Sequence, residues 1–483
     1  MDTALWNTIL DFNLDQSLTE YGFSERLQYE NYWTTSFAQQ AIIEYKKFMY
    51  LAAVSNEMVS PSEIIDVVWH QHLLFSASYD KLCSLIGKKI LHVPSTHESS
   101  DVQKFKEARK RTTILYLQSF GDQPAQFWVY PDMTSSLNME PSRFSIQKIA
   151  MGGLIMFLLL LIVEFLTLST IYTKINNPYF LLAYLSIAMI MGVFVHYQNK
   201  RTLRGIIKAW PEDAFISNFS PIELIYLKTG KIEQVIHGVV NQLVVDGKLR
   251  IFRNQTLGVA EHSNLKSAAE LTAVNAVHLY QKITYPYLVS TLKTKPAYRK
   301  TINMIDEFER YILESNDFID VFKINLLIIL TFLSFGFSRV AIGHFRDRPI
   351  LLISGVMIVL SIAGIFYLIK LKSLFKNAFI NAYYSEEVLT ENAASGDWEW
   401  NYLLVGSAFF VNSFEPFVTK DRRQYSSGDS DYGSDGSAGD GHSGDGHQGG
   451  GFSGGGDAGG DTSGGGDAGG CGSSCGGCGG GGD

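Results

Sequence analysis

The sequence predicts a mainly α-helical membrane protein: a helical N-terminal domain, four transmembrane helices in two hairpins, a winged-helix-like α+β segment between the hairpins, and a disordered Gly-rich tail. Three observations carry this. Four apolar runs of about 20 residues interrupt the chain, each the length at which a helix rising 1.5 Å per residue crosses about 30 Å of hydrocarbon. Apolar side chains recur at helical spacing before the first run and between the second and third. Beyond residue 428 the composition shifts to glycine, aspartate and serine, which bury too little apolar surface to offset the entropy of ordering.

In chain order the expected units are a helical domain over 1–140, a hairpin over 149–197, a cytosolic winged-helix-like and helical segment over 199–320, a second hairpin over 324–369, a juxtamembrane segment over 370–424 and the tail over 425–483. The formal net charge of −8 resides in the tail, where from Gly428 onward there are nine aspartates and no lysine or arginine. The remainder is close to neutral, so net charge gives no footprint for nucleic acid. The opening MDTALWNTILDFNLDQ has no basic stretch followed by an apolar one and is not expected to act as a secretory signal. The first domain is therefore expected in the cytosol.

Within that domain, SPSEIIDVVWHQHLL at 60–74 carries the most specific pattern. Ser60, Pro61 and Glu63 have the spacing of a capping box. On the helix that follows, Ile65, Val68 and His72 share one face, and Asp66 and His70, four apart, share another. Asp66, His70 and His72 are candidate ligands for a divalent metal such as zinc, with Cys83 and His92 as further donors, because a carboxylate oxygen and an imidazole nitrogen one turn apart can hold such an ion. The Asp66 and His70 spacing equally suits a carboxylate–imidazole hydrogen bond that only fixes the ring. A histidine on an apolar face is commonly a satisfied core residue.

EYKKFMYLA at 44–52, DVVWHQH at 66–72, YDKLC at 79–83, LHVPS at 91–95 and TTILYLQSFG at 112–121 together resemble the N-terminal domain of the glycine-rich domain-containing proteins, over about residues 25 to 130. The resemblance implies an all-helical domain with a D-x-x-W-H-x-H core and no established catalytic mechanism. The rest of the chain, with GHFRDRPILLI at 343–353 and the Gly/Cys-rich end, resembles bacterial membrane proteins of unknown function.

The apolar runs are 149–171, 179–197, 324–343 and 350–369. Arg143, Lys148, Lys200, Arg201, Arg204, Lys208, Lys323, Lys370, Lys372 and Lys376 flank them on one side, against Lys174, Arg346 and Arg348 on the other. The positive-inside bias puts both termini in the cytosol of a multi-pass protein of the plasma or inner membrane. Glu164 and Arg339 each lie 15 residues into an outward-running span, at similar depth, and are expected to face one another as a structural ion pair between the first and third spans.

Between the hairpins, Ser220, Pro221 and Glu223 form a second capping box. Ile232, Val235, Ile236, Val239, Val240, Leu243 and Val244 then recur at helical spacing, Asp246 and Gly247 end that helix, and two short strands flank a polar turn at Asn254. This order resembles a winged-helix module. Its second helix has only Lys231 and Lys248 at its ends with Glu233 between, so a protein-contact role is expected and nucleic acid is not.

The tail holds Cys471, Cys475 and Cys478. Three thiols among glycines, with no apolar residue to order them, make a poor intramolecular metal site, since glycine backbone costs at least about 1–2 kcal/mol per residue to fix. A reduced, weakly metal-binding segment is expected in the cytosol. No phosphate-cradling loop, nucleophile elbow or H-E-x-x-H occurs. Two function classes remain: a membrane-anchored scaffold whose cytosolic modules bind protein partners, which requires fewer assumptions, and a metal-handling protein using Asp66, His70 and His72.

Overall fold

The computed structural model describes residues 1–15, 17–93, 99–175, 177–211, 214–252 and 256–418. Residues Met1–Val418 form one compact unit, mainly helical with one small sheet. The tail, with Cys471, Cys475 and Cys478, lies outside the described residues, as does the turn at Asn254.

Seven helices precede the first span: α1 (Thr3–Leu10), α2 (Phe23–Asn31), α3 (Thr35–Val54), α4 (Glu63–Leu74), α5 (Ser76–Ile86), α6 (Ser99–Phe120) and α7 (Ala125–Trp128). The central one is α3, whose Phe37, Ala38, Ala41, Tyr45, Phe48, Met49 and Leu51 are buried among α1, α4 and α6. The cap of α4 differs from the expected box. Ser62, not Ser60, is the N-cap: its Oγ accepts from Ile65 N (3.2 Å) and donates to Phe127 O (2.6 Å). Pro61 precedes the helix, and the Ser60 N–H donates instead to Thr112 Oγ1 at 2.9 Å, tying the segment to α6.

Helices α8 (Ile146–Tyr172), α9 (Asn177–Lys208), α15 (Asn316–Phe345) and α16 (Leu351–Tyr383) are long and apolar enough to cross a membrane. Two outlast their apolar runs. Leu203 and Ile207 on α9, and Leu371, Leu374, Phe375, Ala378 and Phe379 on α16, are buried at three- and four-residue intervals, so each helix continues as an amphipathic one into the body of the protein. The first two spans are consecutive without packing as a pair. Instead α8 lies along α15, and α9 against α16. Glycines permit the close contacts: Gly153 faces Leu326 and Leu330, and Gly336 faces Met357 and Tyr184.

The starts of α8 and α15 are joined. Ser142 N–H donates to Glu314 O (2.7 Å) and Asn316 N–H to Glu140 O (2.8 Å), around a bridge between Pro141 and Ser315. The two helices therefore run parallel. Further in, Asn199 and Asn325 exchange amide hydrogen bonds at 2.7 and 2.9 Å, and Asn199 also donates to Tyr367 Oη. This polar clamp satisfies its own donors between three spans.

Between the second and third spans lie α10 (Pro221–Thr229), α11 (Ile232–Val245), β1 (Leu249–Ile251), β2 (Thr256–Val259), α12 (Ala268–Tyr280), β3 (Ile283–Thr284), α13 (Tyr285–Leu292) and α14 (Pro296–Leu313). The capping box at Ser220 and Glu223 is present. The strands form an antiparallel sheet ordered β1-β2-β3, with Leu249 opposite Val259 and Leu257 opposite Ile283. After α16, the helices α17 (Glu386–Ala393) and α18 (Trp398–Val405) return to α11: Tyr402 Oη donates to Gln234 O (2.9 Å), Val411 N–H to Asn241 Oδ1 (3.0 Å), and Gly238 leaves room for the Tyr402 ring. The short apolar stretch 403–411 is thus a packed segment.

The N-terminal helices and this middle segment share one core. Glu223 joins them: Oε2 accepts from Ser220 N (2.7 Å) and Oε1 from Thr35 N (2.8 Å), so one buried carboxylate closes the first turns of both α10 and α3. Burial raises its pKa above the usual carboxylate value. Lys300 of α14 pairs with Glu25 of α2 at 2.7 Å.

Candidate functional site

The exposed face of α4 carries the cluster. Its opposite face buries Ile64, Ile65 and Val68, with Trp69 against the Phe48 ring at 5.3 Å. Asp66 and His70 lie one turn apart on the outside, with Asp66 Oδ2 3.3 Å from His70 Nε2. His92 arrives from the segment after α5 and puts its Nε2 3.0 Å from Asp66 Oδ1. The His70 and His92 rings meet edge to face at 4.4 Å, and donor atoms of all three residues lie within 4.8 Å of one another.

A buried relay holds the incoming segment. Trp69 Nε1 donates to Tyr79 Oη (3.1 Å), and Tyr79 donates to Ile90 O (2.6 Å). The Trp69 ring also packs edge-on against His92 at 4.7 Å. The loop carrying His92 is thus fixed from within the core, two residues before the imidazole.

His72, expected as the third ligand, is elsewhere. Residues two apart on a helix face opposite ways, and His72 is fully buried. Its Nδ1 lies 2.8 Å from Tyr45 Oη and its Nε2 3.1 Å from Ser78 Oγ. Burial holds its pKa down to about 4, so it is neutral at physiological pH. Cys83 is buried and is not in the cluster. His92, which the sequence offers only as a further donor, takes the third place. Its signal is LHVPS, a histidine following a helix rather than on one.

The three side chains could hold a divalent ion, since each offers a donor atom and these lie within 4.8 Å of one another. The two short separations involve different carboxylate oxygens, Oδ2 with His70 and Oδ1 with His92, the geometry of two hydrogen bonds. Two imidazoles and one carboxylate leave positions for water, the pattern of an exchangeable or catalytic site rather than a closed structural one. Without an ion, the same atoms form a hydrogen-bonded triad.

The expected Glu164–Arg339 pair does not form. Glu164 Oε1 accepts from Ser334 Oγ at 2.7 Å. Arg339 donates to the Tyr172 carbonyl and, at 2.6 Å, to the Ile175 carbonyl. The expected packing of the first and third spans is present, but Arg339 reaches the C-terminal end of α8, where unsatisfied carbonyls compete successfully for a guanidinium.

Comparison with known proteins bears on one region. A stretch of 98 residues is 30% identical to glycine-rich domain-containing protein 1 of Arabidopsis thaliana, covering 19% of this chain and 12% of that protein. A stretch of 91 residues is 32% identical to glycine-rich domain-containing protein 2 of the same plant, covering 18% and 12%. The chain therefore spans about an eighth of the length of these relatives. No family model matches the chain, and no solved structure matches it. The similarity supports a region like that of the glycine-rich domain-containing proteins, whose names give no activity.

Proposed function

We propose that this is a multi-pass protein of the plasma or inner membrane, with both termini in the cytosol, whose extramembrane body displays a divalent-metal site formed by Asp66, His70 and His92. The single observation that carries the reading is the convergence of three metal-competent side chains from two separate segments, with the third held by the Trp69–Tyr79 relay. Its membrane setting is supported by the four apolar helices and by the lysine and arginine bias of their flanks.

The body otherwise acts as a scaffold for protein partners and rests on the lipid surface. The winged-helix-like segment is a contact module in this reading, not a nucleic-acid reader. Nine of the fourteen residues of α11 are buried, its Gly238 face is covered by α18, and two of the lysines near it are paired, Lys248 with Glu261 at 3.0 Å and Lys293 with Glu233. A basic recognition face has no place to form there.

The test is elemental analysis of the full chain in detergent after equilibration with zinc or manganese and removal of free ion. The parent and His72→Gln are expected to retain a stoichiometric ion, and Asp66→Asn and His92→Ala to lose it. A metal-free parent, or metal retained by both site variants, overturns the metal reading and leaves the scaffold alone.

A further inference from the structure

Glu164 is the one acidic residue within the four apolar runs. It faces α15 and is 6% exposed. At 1.5 Å per residue it lies about 12 Å before the end of α8, in the outer half of the spans under the topology proposed above. One carboxylate oxygen meets Ser334 Oγ, and the other has no hydrogen-bond partner in the protein. The Ser338 hydroxyl lies next along α15, beside the same carboxyl.

Both serines have other acceptors within reach: Ser334 Oγ lies 2.8 Å from Thr331 O, and Ser338 Oγ lies 3.0 Å from Phe335 O. A hydroxyl has one proton to give. Ser334 Oγ donates to Glu164 Oε1 at 2.7 Å, which leaves Oε2 as the buried oxygen without a hydrogen bond. The neighbouring polar groups are engaged elsewhere. Arg339 is bonded to the Tyr172 and Ile175 carbonyls. Tyr172 and Tyr184 donate to Phe335 O and Phe332 O. Neither α9 from Pro178 to Val195 nor α16 from Leu351 to Ile369 has a charged residue. An ionised carboxylate without a counter-charge is strongly disfavoured in hydrocarbon, which is why an intramembrane acid marks an ion or proton site by default.

We propose that Glu164, with Ser334 and Ser338, binds a small monovalent cation, a proton or sodium, inside the membrane-spanning helices. Phe165, next to Glu164 in the chain, lines a cavity of about 500 Å³ between the ends of α8 and α15, together with Ser169, Thr170, Thr173, Lys174 and Arg346.

The experiment uses the unmodified full chain in detergent and N,N′-dicyclohexylcarbodiimide, an apolar reagent that adds to protonated carboxyl groups, followed by peptide mass spectrometry. Glu164 is expected to be labelled, at least about tenfold faster at about pH 6 than at about pH 9, as for a carboxyl whose protonated fraction falls across that range. Replacing choline chloride by sodium chloride at fixed pH separates the two ions: slower labelling identifies a sodium site, and unchanged labelling a proton site. The variant Arg339→Gln is expected to label at the parent rate. Glu164 left unmodified at every pH in choline, labelling that does not vary with pH, or labelling that appears only in Arg339→Gln would overturn the proposal. The last result would restore the Glu164–Arg339 ion pair.

Discussion

His72 gives the sharpest quantitative test of the N-terminal core. Its ordinary pKa of 6.5 falls to about 4 in the fold because burial disfavours the imidazolium. A depressed histidine pKa means that the unfolded chain takes up a proton before the folded one does. The associated stability is therefore complete above pH 6.5 and is lost as pH falls toward 4. With those two values, the loss is about 1.4 kcal/mol at pH 5.5 and about 3 kcal/mol at pH 4. His72→Gln removes the titration while keeping polar groups that can hydrogen-bond Tyr45 and Ser78. Hydrogen exchange by mass spectrometry on the full chain in detergent, corrected for intrinsic rates, reads the opening free energy of peptides in α4. Between pH 7.5 and 5.5 the parent should lose about 1.4 kcal/mol more protection than His72→Gln, a difference that cancels the other titrating groups. Equal losses in the two proteins would refute the argument, because the imidazole would then be able to charge within the fold.

Glu223→Ala should cost about 1–3 kcal/mol as its orphaned N–H partners lose an acceptor, and hydrogen exchange should show the first turns of α3 and α10 loosening together. Gly336→Ala would drive a Cβ into Met357 and Tyr184; an overpacking cost of about 1–3 kcal/mol should lower the detergent-denaturation midpoint, and Gly355→Ala, with open space around it, should not. Glu399 is pushed up to about 7, first by burial and then by Asp397 and nearby acids. Its raised pKa means stability complete below about pH 4.5 and lost as pH rises through about 7, so Glu399→Gln should protect α18 more than the parent at about pH 8 and about equally at about pH 4. Reporter fusions after Lys208 should read as cytosolic and those at Asp347 as external.

Helices α4, α10 and α11 were legible from their caps and the spacing of their apolar residues, and the four candidate spans because length and hydropathy coincide. The ends of α9 and α16 were not, since an apolar-run criterion stops where Lys200 and Lys370 begin although Ile207 and Phe379 still point inward. The α4 cap was misassigned by two residues because Ser60 and Ser62 both flank Pro61, and only the demand of Thr112 for Ser60 distinguishes them. The site was half legible. The spacing of Asp66 and His70 is intrinsic to a helix, but the third member of the cluster depends on where the chain returns after α5, which no local period encodes. His72 is the closer candidate in sequence and the wrong one by helical geometry alone. Glu164 and Arg339 were matched by depth, yet depth says nothing about rotation around the helix axis, and the carbonyl end of α8 was left out of the competition for the guanidinium.

The parallel pairing of α8 with α15 sets a timetable for biogenesis. Glu164 and its partner Ser334 are 170 residues apart in the chain, and α9 does not stand in for α15 in the meantime. At about 5–20 residues per second, the ribosome leaves the first span without its mate for roughly 10–30 s. During that interval the segment carrying α10 to α14 emerges and can fold onto the N-terminal helices, placing Pro141 where Ser315 will later bridge to it. The extramembrane body would then act as the jig on which the four long apolar helices are assembled.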